Sequence, residues 1–441
     1  MARAILLIKM AILLLILVSE GEIDMYEKHI VFLDVNTTSS GVAFLQGAKR
    51  LGLYITFVTF DPDYYQRTSK PGEESLLDYA DHLLVADTHY DMDTLVNLLS
   101  KYNQAKPIDG IFASMDLEML PAALVAQSLG LPGNHPSAVA ICRDKYRMRC
   151  TLWEHQIPSP RYALVRTIAE AQRAGERLGY PCVLKPINFT ASEGVQMIMH
   201  PRDFVEPLQH YYANPLYDRG VQKAPHLLVE EYLEGPLLSV ETVSYGDEIH
   251  VLGLTDRVLG PPPYFIELIA SFPAVIPGID EAVQMTVQTL KAIGYRFGPA
   301  HTELILTKDG PRIVEINPRL VGGAISFVMN HASGYSIHEE ILKMHVGLPA
   351  SFHTAYQGVG IDQLIPAPKS GIIRAFEGCE TIASMPDILG FYPQKKVGDS
   401  VTSSMNKERD ALALIAAFGS NKEMALTRVQ EALAHLKVTI S

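Results

Sequence analysis

The sequence predicts an α/β chain in three parts: an N-terminal doubly wound parallel-sheet domain, an α+β centre rich in antiparallel strands, and a small C-terminal closing domain. Three observations carry that expectation. From His29 onward, short apolar β-rich runs alternate with amphipathic helical ones. In the centre, long alternating runs are joined by a Tyr-Gly-Asp turn at 245–247. A length of 441 residues is too great for one core and suits about three domains of roughly 150 residues.

The N-terminal domain, expected over 25–135, opens with the strand HIVFLDV, the polar loop NTTSSG, the amphipathic helix VAFLQGAKRLG and a second strand, LYITFVTF. Helical DMDTLVNLLSKYN, extended IDGIFAS and helical EMLPAALVAQSLG continue the alternation. Parallel sheets of this type bind ligands beyond their strand ends, which selects the loops Asn36 to Gly41 and Ser114 to Glu118. NTTSSG fits neither the dinucleotide fingerprint nor the P-loop pattern. Pro and Gly then cluster in LPGNHPSAVA, marking the boundary to a central domain expected over 136–346.

Asp144 is placed to cap a helix carrying Lys145, Arg147 and Arg149. PCVLKP reads as a strand bearing Lys185, NFTASEG as a small-residue loop and VQMIMH as a further strand, so a lid subdomain is expected over about 182–232. HLLVEEYLEG and LLSVETVSYGDEIHVLGLTDRV extend an antiparallel sheet. The closing part, 347–441, carries short strands and one clear helix, KEMALTRVQEALAHL.

Asp plus Glu number 49 and Lys plus Arg 37, a net charge of −12 without a basic block, which argues against nucleic acid or an anionic membrane as partner. Cys142, Cys150, Cys182 and Cys379 make neither a paired framework nor a CxxC ligand set, and read as core thiols of a cytoplasmic protein. Ala4 to Val18 is apolar apart from Lys9 and is shorter than the ~20 residues a bilayer span needs. Residues 1–24 are expected to be a dispensable extension, with a signal or an anchor as the alternatives, and the working chain to begin near Met25.

The most informative stretch is HTELILTKDGPRIVEINPRLVGG, 301–323. Two alternating runs flank Lys308-Asp309-Gly310, read as a three-residue hairpin loop that sets Glu303 directly opposite Glu315. Period-2 alternation places Glu303, Glu315 and Asn317 on one face, away from Leu304, Leu306, Val314 and Ile316. Opposed like charges destabilise a sheet. A hard divalent cation removes that penalty, and two carboxylates with an Asn oxygen suit Mg²⁺. By the same register His301 faces Asn317, as a structural residue or one that supports the ligands. Lys185, next to the loop Thr190 to Gly194, suggests a phosphate clamp, because small residues let backbone N–H groups approach phosphate oxygens. VEEYLEGP, a strand running into a Gly-Pro turn, can supply a slot and backbone hydrogen bonds for an adenine edge.

Taken in order, RDKYRMR, YPCVLKP, FTASEGV, HTELIL and VEINPRLVGG resemble the motifs of the ATP-grasp superfamily, in the carboxylate–amine ligase branch that includes L-amino acid ligases and biotin carboxylase-like enzymes. The tail from Lys369 resembles that family's C-terminal lid. The resemblance implies a central ATP-grasp fold, ATP as cosubstrate and two Mg²⁺ ions, with Mn²⁺ as a substitute. It implies that Lys145 and Lys185 contact the α- and β-phosphates and that the loop at Ser192, Glu193 and Gly194 folds over the γ-phosphate. It places Glu230 at the adenine amino group, with Glu231 and Leu233 offering backbone hydrogen bonds. Glu303, Glu315 and Asn317 would hold the metal, and Arg319 would steady an acyl phosphate and the tetrahedral intermediate, with Lys185 beside it as a catalytic cation.

The reaction implied is ligation of a small-molecule carboxylate to an amine through an acyl phosphate, releasing ADP and phosphate, with an amino-acid-like substrate. Carboxylation through carboxyphosphate is the alternative within the enzyme class, and a non-catalytic nucleotide-binding regulator the alternative outside it. Two departures bear on the substrate. Leu237 stands where the family commonly has an acidic residue for the ribose, leaving Glu241 as a weak stand-in, and PPPYFIELIA keeps Glu267 but has Ile269 and Ala270 for Gly and His. Glu267, Arg257, Gly322 and Gly323 are the substrate-side candidates, Arg257 as an anion contact or a surface ion pair, and Gly323 as the mark of a roomier pocket. Oligomeric state stays open, a homodimer included.

Overall fold

The computed structural model describes residues 28–37, 39–68, 75–217, 220–276 and 279–441. The hydrophobic extension at 1–24 lies outside the described residues. Among those that are described, no helix is long and apolar enough to cross a membrane.

The predicted α/β architecture is present. Strands β1 (His29–Leu33), β2 (Tyr54–Thr59), β3 (His82–Val85) and β4 (Gly110–Phe112) form a sheet in the order β3-β2-β1-β4. All three pairings are parallel, as the strand and helix alternation requires. β1 is buried along its whole length, which explains its unbroken apolar run.

A lid unit follows, with β5 (Tyr162–Val165), β6 (Cys182–Pro186), β7 (Gln196–Ile198) and β8 (Leu227–Glu231) in the order β5-β8-β6-β7. Its sheet therefore includes β5, ahead of the expected 182–232. The partner of β5 is the distant β8, with Val165 opposite Leu227, and local sequence carries no sign of that pairing.

The centre is an eight-stranded antiparallel sheet. Its members are β9 (Leu237–Tyr245), β10 (Glu248–Leu259), β11 (Glu267–Phe272), β12 (Phe297–Thr307), β13 (Gly310–Asn317) and β14 (Val359–Ile365), with two strands from further along the chain. After β14 the chain continues through β15 (Gly371–Glu377), β16 (Ile388–Pro393), β17 (Ser400–Val401), β18 (Ala413–Gly419) and β19 (Lys437–Ile440), of which β16 and β18 are those two. The order β13-β12-β9-β10-β11-β14-β18-β16 shows that the closing segment does not stand apart: β14, β18 and β16 continue the central sheet beyond β11. Only β17, β15 and β19 form a separate small sheet.

One core joins these layers. Phe32, Phe44 and Phe112 of the N-terminal domain pack in the same cluster as Val243, Leu252 and Phe272 of the central sheet, and as Ile325 and Ile341 of the helices Ile325–Ser333 and Ile337–His345. Burial of this continuous apolar surface fixes the strand ends of the N-terminal sheet against the sheet that carries Glu303 and Glu315.

Candidate active site

The β12–β13 hairpin turns more tightly than the sequence predicts, yet Glu303 still faces Glu315. Thr307 pairs with Gly310, so the loop has two residues, Lys308 and Asp309, and not three. That register continues to Leu304 opposite Ile313, then shifts by one residue at Val314, and beyond the shift Glu303 faces Glu315 and His301 faces Asn317. The bulge supplies the residue that the shorter turn removed. It also turns Val314, expected on the far face, into the same cleft as Glu315, while Leu304 and Ile316 stay in the core as predicted.

That cleft has a volume of about 120 Å³ and lies between the lid sheet and the central sheet. It brings together Lys145, Lys185, Ser192, Glu193, Glu230, Glu231, Leu233, Glu267, Glu303 and Glu315 from the sequence-predicted set. Asn317 is buried beside it, its Nδ2 3.5 Å from Glu303 Oε1. In the loop Thr190 to Gly194, Ala191 and Ser192 are left-handed at φ +53 each and Gly194 at φ +73. Turns of this kind present successive backbone N–H groups to anions.

Helix Lys145–Glu154 begins as predicted, with Asp144 Oδ1 accepting the Arg147 N–H at 2.9 Å. Lys145 and Arg149, four residues apart, share its inner face. The Lys145 Nζ lies 2.7 Å from Glu315 Oε1 and donates to the Phe189 carbonyl at 2.9 Å. Arg149 is fully buried, with Nε donating to Glu230 Oε1 at 2.7 Å and Nη2 to the Val314 carbonyl at 2.6 Å. Its role was missed from sequence, where only the i, i+4 spacing to Lys145 signalled an inward cation.

Lys185 Nζ is 2.6 Å from the other oxygen of Glu230. Glu230, expected at an adenine amino group, is thus a buried carboxylate shared by two cations. Burial works to raise its pKa, but Arg149 and Lys185 hold it below the usual carboxylate range. Burial also lowers the pKa of Lys185; Glu230 works against that, and the positive charge of nearby Arg149 adds to the lowering. Two cations against one carboxylate leave one positive charge at this wall of the cleft. Glu231 donates its N–H to the Arg161 carbonyl at 3.0 Å and binds the Arg161 guanidinium through its side chain, so that N–H is already engaged.

A second network supports Glu303. His301 Nε2 lies 3.2 Å from Glu303 Oε1, and its Nδ1 lies 3.0 Å from both oxygens of Glu241. Burial alone would lower the His301 pKa; Glu241 and Glu303 raise it to about 9. Glu241, considered as a ribose contact, is buried within this network and also accepts from Ser239 and Thr255. Arg257 is no surface ion pair: its side chain is 1% exposed, its Nε donates to Glu267, and Nη1 donates to Ser239 Oγ at 2.7 Å.

Arg319 reaches the N-terminal domain, where Asp116, in one of the two strand-end loops selected from sequence, binds it at 2.8 Å. Beside Arg319 opens a smaller cavity of about 50 Å³, to which both loops contribute, through Ser40 and Ser114. Gly323 does not make its pocket roomier. Its φ is +62, and a Cβ there would lie 2.4 Å from Asp362 Oδ2, so the space is taken by a carboxylate from β14. That oxygen also accepts the Ala324 N–H at 2.8 Å. Gly322 lies in the same loop, and a Cβ there would meet only the Arg319 Nη1, at 4.0 Å.

A separate buried group in the N-terminal domain, Asp34, His89 and Glu118, has potential metal-ligand atoms within 4.8 Å of one another. The Tyr65 hydroxyl donates to Asp34 at 2.7 Å and the Tyr90 hydroxyl to Glu118 at 3.1 Å, which marks a buried hydrogen-bonded network distinct from the cleft.

Comparison with known families follows the same geometry. Residues 45–133 match the ATP-grasp N-terminal domain, 178–327 the ATP-grasp domain and 363–441 the L-amino acid ligase C-terminal domain 2. The chain belongs to the ATP-grasp superfamily of enzymes. Its closing segment is of the L-amino acid ligase type.

An uncharacterized protein of Sinorhizobium fredii is 24% identical over 96% of this chain and 85% of its own length. An L-arginine-specific L-amino acid ligase of Bacillus subtilis is 22% identical over 82% of this chain and 86% of its own. Among solved structures, an L-amino acid ligase from Bacillus licheniformis superposes with a TM-score of 0.77 at 20% identity, covering 94% of this chain and 99% of that one. The biotin carboxylase domain of a Hydrogenobacter thermophilus 2-oxoglutarate carboxylase, solved with MgADP and bicarbonate, gives 0.68 at 17% identity, covering 94% and 91%.

Proposed function

We propose that this chain is an ATP- and Mg²⁺-dependent carboxylate–amine ligase that activates a carboxylate as an acyl phosphate and joins it to an amine, with an amino-acid-like substrate. One observation carries the reading. Lys145 and Lys185 enter the cleft from the helix and lid side, and the opposed carboxylates Glu303 and Glu315 enter from the central sheet. Cations and metal-binding carboxylates around one space are what a metal–polyphosphate complex requires.

The donor set fits the metal. Glu303 and Glu315 are directly opposite on adjacent strands, with Asn317 alongside, and hard oxygen donors of this kind suit Mg²⁺. Glu303, Glu315 and the Asn317 amide oxygen would hold it, and the bound metal supplies charge neutralisation at the phosphates.

The protein's own residues do the rest. Lys145 and Lys185 bind the α- and β-phosphates, and the loop at Ser192, Glu193 and Gly194 covers the γ-phosphate. Glu230 acts through Lys185 and Arg149, holding both cations in place. The strand end at Glu231 and Leu233 receives the adenine edge. The γ-phosphoryl group passes to a carboxylate oxygen and ADP departs; the amine nitrogen then attacks the acyl carbon, and phosphate leaves with its electron pair. Arg319 faces the charge that develops on the acyl oxygen, and Glu267 and Arg257 line the substrate side, with the Gly322–Gly323 loop closing it. Electrostatic positioning of this sort needs no covalent nucleophile from the protein.

The similarity of residues 363–441 to an L-amino acid ligase domain favours ligation over carboxylation. The test is phosphate release from ATP across a matrix of carboxylates and amines, with mass spectrometry of the products. A product equal to acid plus amine minus water supports the reading. Bicarbonate-dependent turnover without an amine would replace it with carboxylation, and nucleotide binding with no turnover across a broad panel would replace it with a regulatory role. Arg319→Ala is expected to keep ATP binding and lose product, and Glu315→Ala to lose metal-dependent turnover.

A further inference from the structure

The two carboxylates that face each other across β12 and β13 are each met by a buried basic side chain, and the two are held differently. His301, which serves Glu303, is gripped from its other nitrogen by both oxygens of Glu241. Lys145, which serves Glu315, has among the described residues only the Phe189 carbonyl as its other hydrogen-bond partner. Its backbone is fixed, since it opens a helix behind the Asp144 cap and donates its N–H to the Ile187 carbonyl at 3.1 Å. Its ammonium sits at the end of a four-carbon stem and can turn toward another anion in the same cleft. The residue is 5% exposed, so the Lys145–Glu315 pair is strong enough to matter and costly to break without a replacement on both sides.

We propose that Lys145 is a placeholder cation for Glu315: it neutralises this carboxylate until a polyphosphate draws it away, so Glu315 accepts a divalent ion together with the nucleotide and not before it. The inference rests on the reading of the cleft as a metal–nucleotide site. It goes beyond that reading by assigning one lysine two successive partners and by fixing the order of binding. Both partners gain in the exchange, since the phosphate oxygens satisfy Lys145 and the metal satisfies Glu315. Thermodynamic reciprocity then requires that metal and nucleotide raise each other's affinity.

The coupling is testable without knowledge of the carboxylate or amine. Mn²⁺ is titrated into the full chain, free of nucleotide or with ADP, and the free ion is read by electron paramagnetic resonance. The wild type is expected to bind Mn²⁺ at least about tenfold more weakly without ADP than with it, a difference of about 1.4 kcal/mol. Lys145→Met is expected to bind Mn²⁺ alone about tenfold more tightly than the wild type, and adding Glu315→Gln to remove that gain. A second measurement does not depend on how the lysine variant folds. In EDTA, Glu315→Gln should bind ADP more tightly than Glu303→Gln does, because only the first releases Lys145, whereas a general loss of negative charge would help both equally. Equal ADP affinities for these two variants, or no gain of Mn²⁺ affinity in a folded Lys145→Met protein, would overturn the placeholder role while leaving the nucleotide site standing. Absence of Mn²⁺–ADP binding to the wild type would overturn the nucleotide reading, and this inference with it.

Discussion

Arg319 is held from across the domain seam by Asp116: Nε donates to Oδ2 at 2.8 Å, and Nη2 lies 2.8 Å from the same oxygen, although the two residues are 203 positions apart. Asp116 also meets Arg143 Nη1 at 3.2 Å. Burial works to raise the Asp116 pKa, and Arg319 and Arg143 bring it below the ordinary carboxylate value, so it is ionised throughout the neutral range.

Asp116→Ala is expected to leave two guanidinium groups unpaired and to release Arg319 from its aim. Product formation should fall by about 100-fold, the scale of a misplaced catalytic group. ADP affinity should change little, because Arg319 does not line the cleft proposed for the nucleotide. Phosphate release measured beside ADP titration separates the two effects, and parallel losses in both would refute the positioning role.

Gly323→Ala adds a methyl 2.4 Å from Asp362 Oδ2 at a backbone φ of +62, so it combines a clash with left-handed strain. A cost of about 1–3 kcal/mol is expected, together with movement of the loop that follows Arg319. Shortening the opposing side chain as well, by Asp362→Ala, removes the clash and leaves the strain. Urea unfolding of both single variants and the double variant should therefore show the pair to be less destabilised than the sum. Strict additivity would mean that the two residues do not meet.

These relationships show where sequence reading runs out. The parallel sheet, the capped helix at Lys145 and the β9–β10 hairpin were legible, because periodicity and turn residues are local properties of the chain. The opposition of Glu303 and Glu315 was also legible, but from a three-residue loop that is not there: a two-residue turn and a bulge at Val314 compensate each other. A bulge is a choice of backbone pairing with no fixed residue signature, so Val314 was placed on the wrong face. Partners such as Arg149 with Glu230, or Gly323 with Asp362, become neighbours only when distant strands and helices pack. Their residue types were visible as charges or a glycine, and their pairing was not.

His301 gives the stability of the nucleotide-free protein a dependence on pH. Its folded-state pKa is raised from 6.5 to about 9, so the folded protein retains a proton there that the unfolded chain gives up. The stabilisation is complete below the unfolded value of 6.5 and is lost as pH rises through about 9. The loss amounts to about 3 kcal/mol. Urea midpoints measured in EDTA should decline across this window in the wild type and flatten in His301→Gln. An equal decline in the variant would assign the effect to other groups.

The triad of Arg149, Glu230 and Lys185 makes an asymmetric prediction. Glu230→Ala removes the shared carboxylate and leaves two buried cations with no counter-charge between them, which should cost about 3–5 kcal/mol. Arg149→Met removes one of two cations and leaves Glu230 still paired with Lys185, so the ionic cost is smaller and is confined to the lost bond to the Val314 carbonyl and the Glu230 contact. With Arg149 gone, Lys185 becomes the sole partner of Glu230 and has less charge to offer a phosphate. Arg149→Met should therefore weaken ADP binding by about tenfold, roughly 1.4 kcal/mol, in a protein that is still folded, whereas Glu230→Ala should fail first in thermal unfolding. Calorimetric titration of ADP beside a melting curve distinguishes them. Unchanged ADP affinity in folded Arg149→Met would show that the buried arginine serves only to pack the helix against the sheet.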